Sequence, residues 1–484
     1  MTAVSARERL ISTYYDTPNG ALKERGLTLR VREQDGQYTQ TVKAEDPTQG
    51  ILSRGEWEDA LADDQPDPSA QRSGPHLPEN APGAVRPVFV TAVTRTRFEI
   101  APAPETAIEA AIDEGEIRAL NSEKREPVCE VELERKCGDA AALYDIALRL
   151  MEVAPLRIET RSKSERGYRL AGDGDDPPRE VHAEPLDLDP EVSVEGALQK
   201  IGRSCLAQLL RNEPAVLASQ PEGVHQMRVA VRRLRSALSA LKKSLPEEEV
   251  RWVTGELRWL GRSLGPARNL DIFLAELLPA ARDMLPDQPG WEELAADLDR
   301  LRRAAYEDVR ETILSQHYTL AMLRLLRWFE ACGWRKKSPT DESGPLSYAL
   351  GRIAPLELDR RRRKVKQRSK GFKGLAPPER HKLRIAVKKL RYTIELLGCL
   401  SKQNDFQEFV SGLKRLQNDL GYANDVRVAH EFTVDLFAQI EPRSPSAHAW
   451  VALLEAQNQR LAVGESKLRH HLQCFKASPP FWRQ

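Results

Sequence analysis

The hydrophobic period of the chain changes once, and that change limits the fold more than any other feature. Up to about residue 170, apolar and polar residues alternate in short segments, as in Leu29-Arg-Val-Arg32 and Glu130-Val-Glu-Leu133. Alternation puts every second side chain on one face, the pattern of half-buried strands. Turn residues punctuate the segments at Pro18-Asn19-Gly20, Asp35-Gly36 and Asp113-Glu114-Gly115, and one amphipathic helix is expected over 138–151. The stretch 62–87, rich in Pro, Asp, Gly and Ser, reads as a long loop. From about residue 193, apolar residues recur every three or four positions, over 224–245, 248–264 and 291–314. Two periods imply two layers of different kind. The chain therefore reads as multidomain α+β: a strand-built domain at 1–170, an acidic, Pro-rich linker at 171–192 and an all-α bundle at 193–480.

The helical part contains a repeat. His225-Gln-Met-Arg-Val-Ala-Val-Arg-Arg-Leu-Arg235 matches His381-Lys-Leu-Arg-Ile-Ala-Val-Lys-Lys-Leu-Arg391, 156 residues later. Ser263-Leu-Gly-Pro-Ala-Arg-Asn269 matches Asp419-Leu-Gly-Tyr-Ala-Asn-Asp425 at the same offset. Two blocks at one offset predict a duplicated helical unit, giving two similar bundles that face each other.

Charge divides along the same boundary. The 484 residues carry 73 Lys+Arg and 72 Asp+Glu, a net charge of +1. Residues 1–192 hold 24 basic and 38 acidic residues, which is −14; residues 193–484 hold 49 and 34, which is +15. The basic part calls for a polyanion: nucleic acid, a membrane surface or polyphosphate. No apolar run approaches the ~18 residues of a spanning helix, and the start lacks the basic and apolar regions of a secretory signal. Six scattered cysteines without a Cys-x-x-Cys pair read as reduced thiols in a cytoplasmic protein, with no zinc site.

The strands carry paired charges. Arg30 and Arg32 flank Val31; Thr41 and Lys43 flank Val42; Glu56 and Glu58 flank Trp57; Arg95 and Arg97 flank Thr96. Glu130, Glu132 and Glu134 alternate with Val131 and Leu133. Any one such strand is explained by a polar face in water. Together, with signs sorted by strand, they suggest an antiparallel barrel whose charged faces line a wet channel. Arginines and lysines there would grip phosphate oxygens. Glutamates would hold a hard divalent cation, Mg²⁺ or Mn²⁺. Phosphoryl transfer to water needs such positioning and charge neutralisation more than it needs a covalent nucleophile.

The order Tyr14-Tyr-Asp-Thr17, Leu29-Arg-Val-Arg32, Thr41-Val-Lys43, Arg54-Gly-Glu-Trp-Glu58, Glu130-Val-Glu-Leu133, Ser162-Lys-Ser-Glu-Arg-Gly-Tyr168 resembles the CYTH family of triphosphate tunnel metalloenzymes. The resemblance covers about residues 1–170. It implies an eight-stranded antiparallel barrel that hydrolyses inorganic tripolyphosphate or a related triphosphate with a divalent metal. It assigns triphosphate binding to Arg30, Arg32, Lys43, Arg95, Arg97 and Lys163. Metal placement falls to Glu130 and Glu132, with Glu134, Glu56 and Glu58 as further carboxylates, and the catalytic step to Lys43, Arg97 and Glu132. The family opens with a Glu-x-Glu-x-Lys strand, which residues 1–16 lack. The expectation is a barrel without its first strand, and weak or absent triphosphatase activity in this chain.

On the repeated helices, His225, Arg228, Arg232 and Arg235 fall on one stripe about 80° wide at ~100° per residue, with Met227, Val231, Leu234 and Leu238 on the core side. His381, Arg384, Lys388 and Arg391 repeat the stripe, and Arg233 and Lys389 are expected to widen each positive surface. A solvated face would normally carry acidic partners one turn away; their scarcity favours an anion groove. A basic run over 360–373 adds to it. These repeats resemble the CHAD domain, a conserved-histidine α-helical module, over about 193–475. That resemblance implies binding of long-chain polyphosphate and location at polyphosphate granules. The two histidines read as hydrogen-bonding or phosphate-contacting groups rather than metal ligands.

The readings rank as follows. A metal-dependent inorganic triphosphatase with a polyphosphate-holding helical domain comes first, and a catalytically inactive polyphosphate or granule protein second. Nucleic acid is disfavoured, because the basic helices lack interleaved aromatics for base stacking.

Overall fold

The computed structural model describes residues 4–45, 54–77, 85–172, 178–335, 344–397, 403–441 and 443–483. They form two compact units, 1–178 with 322–331, and 179–321 with 332–484.

The first unit is a seven-stranded antiparallel sheet. Its strands are β1 (Val4–Asp16), β2 (Leu27–Gln34), β3 (Gln37–Glu45), β4 (Arg54–Leu61), β5 (Arg86–Ala103), β6 (Thr106–Ala119) and β7 (Arg125–Cys137). The spatial order is β4-β3-β2-β1-β5-β6-β7. The expected barrel lacking its first strand is corrected only in its closure: the sheet is antiparallel as expected, and among the described residues it is open, with β4 and β7 as its edges. Both edges carry glutamates on one face, and such charges hinder pairing with a foreign strand.

A second correction concerns Asp113-Glu114-Gly115. Turn-forming residue types suggested a turn, yet all three lie inside β6, where Gly115 pairs with Val93. Glycine is required there by close packing, because a Cβ would stand 2.0 Å from the Ala92 carbonyl oxygen.

Among the described residues the unit also holds the short helices α1 (Ala21–Glu24), α2 (Ala141–Leu150) and α3 (Lys163–Ala171), together with the segment 322–331. The α1 N-terminus is held by Asp16, whose carboxylate accepts the Leu22 and Lys23 N–H groups at 2.9 and 3.1 Å. Ser162 and Glu165 form a reciprocal capping box that fixes the start of α3. Helix α3 packs on β5 and β6. Tyr168 and Ala171 join Leu10, Tyr14, Phe89, Val93 and Ile117 in one apolar cluster. A second cluster is built from Tyr15, Leu22, Leu29, Val31 and Val42, of which Leu29, Val31 and Val42 alternate along their strands with the charged residues. Gly167 lets α3 approach, since a Cβ there would lie 2.1 Å from the Phe89 ring.

The second unit is helical. Its helices are α4 (Val194–Arg211), α5 (Glu213–Leu217), α6 (Pro221–Leu241), α7 (Glu247–Ser263), α8 (Gly265–Ile272), α9 (Leu278–Met284), α10 (Trp291–Leu314), the start of α11 (Gln316–Glu330, of which 322–330 belongs to the first unit), α12 (Leu350–Arg368), α13 (Pro377–Leu397), α14 (Gln403–Phe437) and α15 (Pro445–Ala477). The 156-residue offset holds well beyond the two sequence blocks. Helices α6 and α13 start at 221 and 377 and end at 241 and 397; α4 and α12 start at 194 and 350; α7 and α14 start at 247 and 403. One difference has a local cause. The first copy breaks between α7 and α8, where Pro266 cannot donate a hydrogen bond and its ring crowds the preceding turn. The second copy has Tyr422 at that place, and α14 runs on as a single helix. Helices α6 and α13 pack against each other. Met227, Val231, Leu234 and Leu238 are buried as expected, and Leu383, Val387, Leu390 and Ile394 match them in the second copy.

Candidate functional sites

The register of the sheet decides which charges meet. Glu8 on β1 pairs with Arg95 on β5, Arg95 with Asp113 on β6, and Asp113 with Glu130 on β7. Directly opposed residues share a face. In the neighbouring row Arg97 opposes Ala111, and Ala111 opposes Glu132. On the other side of β1, Arg32 opposes Ser12, Arg30 opposes Tyr14 and Thr41, Thr41 opposes Glu58, and Lys43 opposes Glu56. The strand-borne candidates therefore lie on one face, in two centres.

The first centre is acidic at its core. Asp113, Glu130 and Glu132 each bring an oxygen within 4.8 Å of the others. Two unit charges at that distance repel by about 3.5 kcal/mol at an effective dielectric near 20, so the group demands cations. Lys163, at the first position of α3, supplies one. Its Nζ lies 2.8 Å from Asp113 and 2.6 Å from Glu132, and it also pairs with Glu130. Arg95 supplies another, donating from Nε and Nη2 to the two Asp113 oxygens at 2.7 Å each and pairing with Glu132. Burial works to raise the Asp113 and Glu132 carboxyls, yet Arg95 and Lys163 hold both below their ordinary values. Burial opposes the Lys163 charge in turn, and the surrounding carboxylates push its pKa up.

The second centre is cationic. Arg30 donates from Nη2 to Glu56 at 3.3 Å, with Glu58 at 3.8 Å, and Lys43 Nζ lies 2.9 Å from Glu56. Burial and the Arg30 charge lower the Lys43 pKa. Burial, then Arg30, bring Arg32 down to about 10, with Arg95 contributing in the same direction. The Nε of Arg30 is buried without a hydrogen-bond partner. Cations crowded enough to repel one another, with donor capacity to spare, are suited to an anion.

Several candidates fall outside the acidic group. Glu134 pairs with Lys136 at 2.9 Å and is mostly exposed; Glu56 and Glu58 serve the cationic centre; Arg97 pairs with Glu8. Three contributors escaped the sequence reading. Asp113 was hidden by its turn-like neighbours. Glu8 stands alone in β1 with no charged partner two residues away on its face. Arg166 is buried on α3, donating to Glu126 and Glu130 at 2.7 Å each and to the Pro127 carbonyl at 2.8 Å. The even spacing of Ala111, Asp113 and Gly115 continues the β6 alternation, and was the available signal for Asp113.

In the helical unit the two basic stripes meet. Arg232 on α6 donates from Nε to the Tyr392 hydroxyl on α13 at 3.0 Å. Burial lowers Arg228 to about 10, helped by Arg232, Arg268 and Arg384. Burial lowers Lys388 to about 7, helped by Arg384, Arg232 and Arg228, with Asp425 opposing. Burial takes His225 down to about 4, with Arg268, Arg232, Arg228 and Lys388 adding to it. His381 meets the Asn424 amide oxygen at 3.1 Å through Nδ1. The Nε atoms of Arg228, Arg384 and Arg391 are buried without hydrogen-bond partners. Arg235 is pushed down by burial and by Arg258, while Arg391 finds Glu395 at 3.5 Å.

Two expectations about the basic surface are corrected. Arg233 does not widen it: the side chain is buried and donates to Gln208 at 3.1 Å. The 360–373 run is corrected only in part: Arg360 and Arg361 are both held on Glu357 at 2.7 Å and Arg362 donates to the Ser478 carbonyl, while Arg363, Lys364, Lys370 and Lys373 are exposed.

This chain carries a CYTH domain at residues 3–168 followed by a CHAD domain at residues 200–434. Over 161 residues, 33% of this chain and 45% of the relative, it is 32% identical to an inorganic triphosphatase of Haemophilus influenzae. Over 238 residues, 47% of this chain and 43% of the relative, it is 29% identical to an uncharacterized protein of Mycobacterium tuberculosis. The crystal structure of the CHAD domain from the plant Ricinus communis matches 61% of this chain and 96% of its own, at 28% identity and a TM-score of 0.53. The chain spans less than half the length of the curated relatives it matches. No described helix is long and apolar enough to cross a membrane.

Proposed function

We propose that the sheet unit is a metal-dependent hydrolase of inorganic tripolyphosphate and that the helical unit holds long-chain polyphosphate. The observation that carries the first part is the single charged face, with three clustered carboxylates beside a surplus of phosphate-binding cations. Asp113, Glu130 and Glu132 would hold Mg²⁺ or Mn²⁺; an all-oxygen donor set fits either hard cation. When bound, the metal would neutralise phosphate charge and activate water. Arg30, Arg32, Lys43, Arg95, Arg97 and Lys163 would grip the phosphate chain, and their fixed positions stabilise the charge that shifts along it during hydrolysis. The Haemophilus influenzae relative, named an inorganic triphosphatase, supports this reading. Phosphate release from tripolyphosphate, with Mg²⁺ or Mn²⁺ and with EDTA, tests it; undiminished release in EDTA would contradict it.

One observation favours the second reading, a sheet that binds phosphate chains without hydrolysing them. The Lys163 ammonium sits among all three carboxylates, where a metal would otherwise bind. If tripolyphosphate does not draw Lys163 away, the acids stay satisfied and no turnover follows.

The helical groove is proposed as a polyphosphate site because its cations face one another with Asp425 as the nearby carboxylate. Polyphosphate should displace single-stranded DNA at equal phosphate concentration, and the reverse result would favour nucleic acid. Cytoplasmic residence, including at polyphosphate granules, belongs to the same proposal.

A further inference from the structure

A cavity of about 660 Å³ opens between α13, α14 and α15. Its lining joins two chemistries. Leu461, Val463 and Leu468, with Tyr422, form an apolar wall, while Arg384 and Arg460 bring positive charge. Arg460 lies over the Tyr422 ring, 5.0 Å from its centroid. The buried Arg384 Nε has no hydrogen-bond partner. The walls are braced by an ion pair, Arg380 with Glu465 at 3.0 Å, and by the hydrogen-bond contact of His471 Nδ1 with Asp419 at 2.6 Å.

The duplicated scaffold does not require this composition. At the positions 156 residues earlier, Tyr422 corresponds to Pro266 and Arg384 to Arg228. The first copy therefore keeps the Arg384 cation as Arg228 and lacks the aromatic beside it. A bare phosphate chain gains nothing from the apolar wall, because hydrated anions are costly to bring against apolar surface. A ligand with a flat apolar body and an anionic tail uses both halves, and the volume lies within the range of small-molecule sites.

We propose that this cavity binds a nucleotide, with the heterocycle against Tyr422, Leu461 and Leu468 and the phosphates on Arg384 and Arg460. This goes beyond the polyphosphate reading, since the discriminating surface is apolar.

The test is equilibrium dialysis of the full chain against ATP, and separately against tripolyphosphate, in EDTA to prevent hydrolysis. Wild type is compared with Leu461→Glu and Val463→Glu. Val463 is 83% exposed, so the second variant does not disturb packing. The expected result is the loss of one ATP site per chain, or at least tenfold weaker binding at it, in both variants. Tripolyphosphate binding should change less than twofold. Undiminished ATP binding in the variants, no ATP site in the wild type, or equal weakening of tripolyphosphate would each overturn the proposal. Long-chain polyphosphate is titrated in parallel, so that failure of the groove reading shows as its absence while the ATP site remains.

Discussion

Replacing Lys388 with methionine should stabilise the fold and weaken polyphosphate binding together. The methionine keeps most of the apolar stem and removes the charge. In the groove, burial, Arg384, Arg232 and Arg228 lower the ammonium pKa from 10.5 to about 7. Each unit corresponds to about 1.4 kcal/mol, so linkage sets an upper bound of about 5 kcal/mol on the cost of that lysine in its charged form. Even a quarter of this, about 1 kcal/mol, raises Tm by roughly 2–4 °C in a domain of this order of size. The folded pKa lies below the unfolded one, so the unfolded chain binds more protons and wild-type stability rises with pH. The penalty is complete below pH 7 and vanishes above the unfolded value of 10.5. The Tm gain of Lys388→Met should accordingly shrink between pH 7 and pH 10.5, as read by circular dichroism melts. At pH 7 the variant should bind polyphosphate several-fold more weakly, with a salt dependence reduced by about one released counterion. A lower Tm at pH 7, or a higher Tm with unchanged binding and salt slope, would refute the reasoning.

Polyphosphate affinity should fall as pH rises above 7, because the polyanion raises the Lys388 pKa from about 7 and the resulting gain is lost as pH passes the bound-state value; titration calorimetry at pH 6.5 and 9 reads this, and a flat profile would contradict it. Glu132→Gln should abolish metal-dependent phosphate release, while Arg32→Ala should act chiefly on KM, measured by steady-state kinetics on tripolyphosphate. Gly167→Ala should destabilise the sheet unit by about 1–3 kcal/mol through overpacking against Phe89, and an unchanged unfolding transition would show that α3 gives way without cost.

Periodicity made the strands, the long helices and the duplication readable, because alternation and the 3.6 repeat follow directly from burial on one face. Closure of the sheet was not readable, because it depends on whether β4 and β7 find each other, and nothing in either strand encodes its neighbour. The true extent of the repeat was concealed for a similar reason. Helices α4 and α12 share length and position but little sequence, since many apolar residues fill an equivalent core. At the site, paired charges such as Arg95 and Arg97 announced themselves. Asp113 did not, because aspartate beside glycine is the local signature of a turn, and only the close approach of β5 explains Gly115. Arg233 misled in the opposite direction. It adjoins the basic stripe in sequence, but its hydrogen bond to Gln208 allows a buried guanidinium.

The central claim is that Asp113, Glu130 and Glu132 hold a divalent cation next to the phosphate-binding cations. Mn²⁺ titration of the full chain with tripolyphosphate present, followed by water proton relaxation, tests it without depending on turnover. A saturable Mn²⁺ site is expected in the wild type, and it should be lost in Asp113→Asn. Equal Mn²⁺ binding by the two proteins would contradict the account.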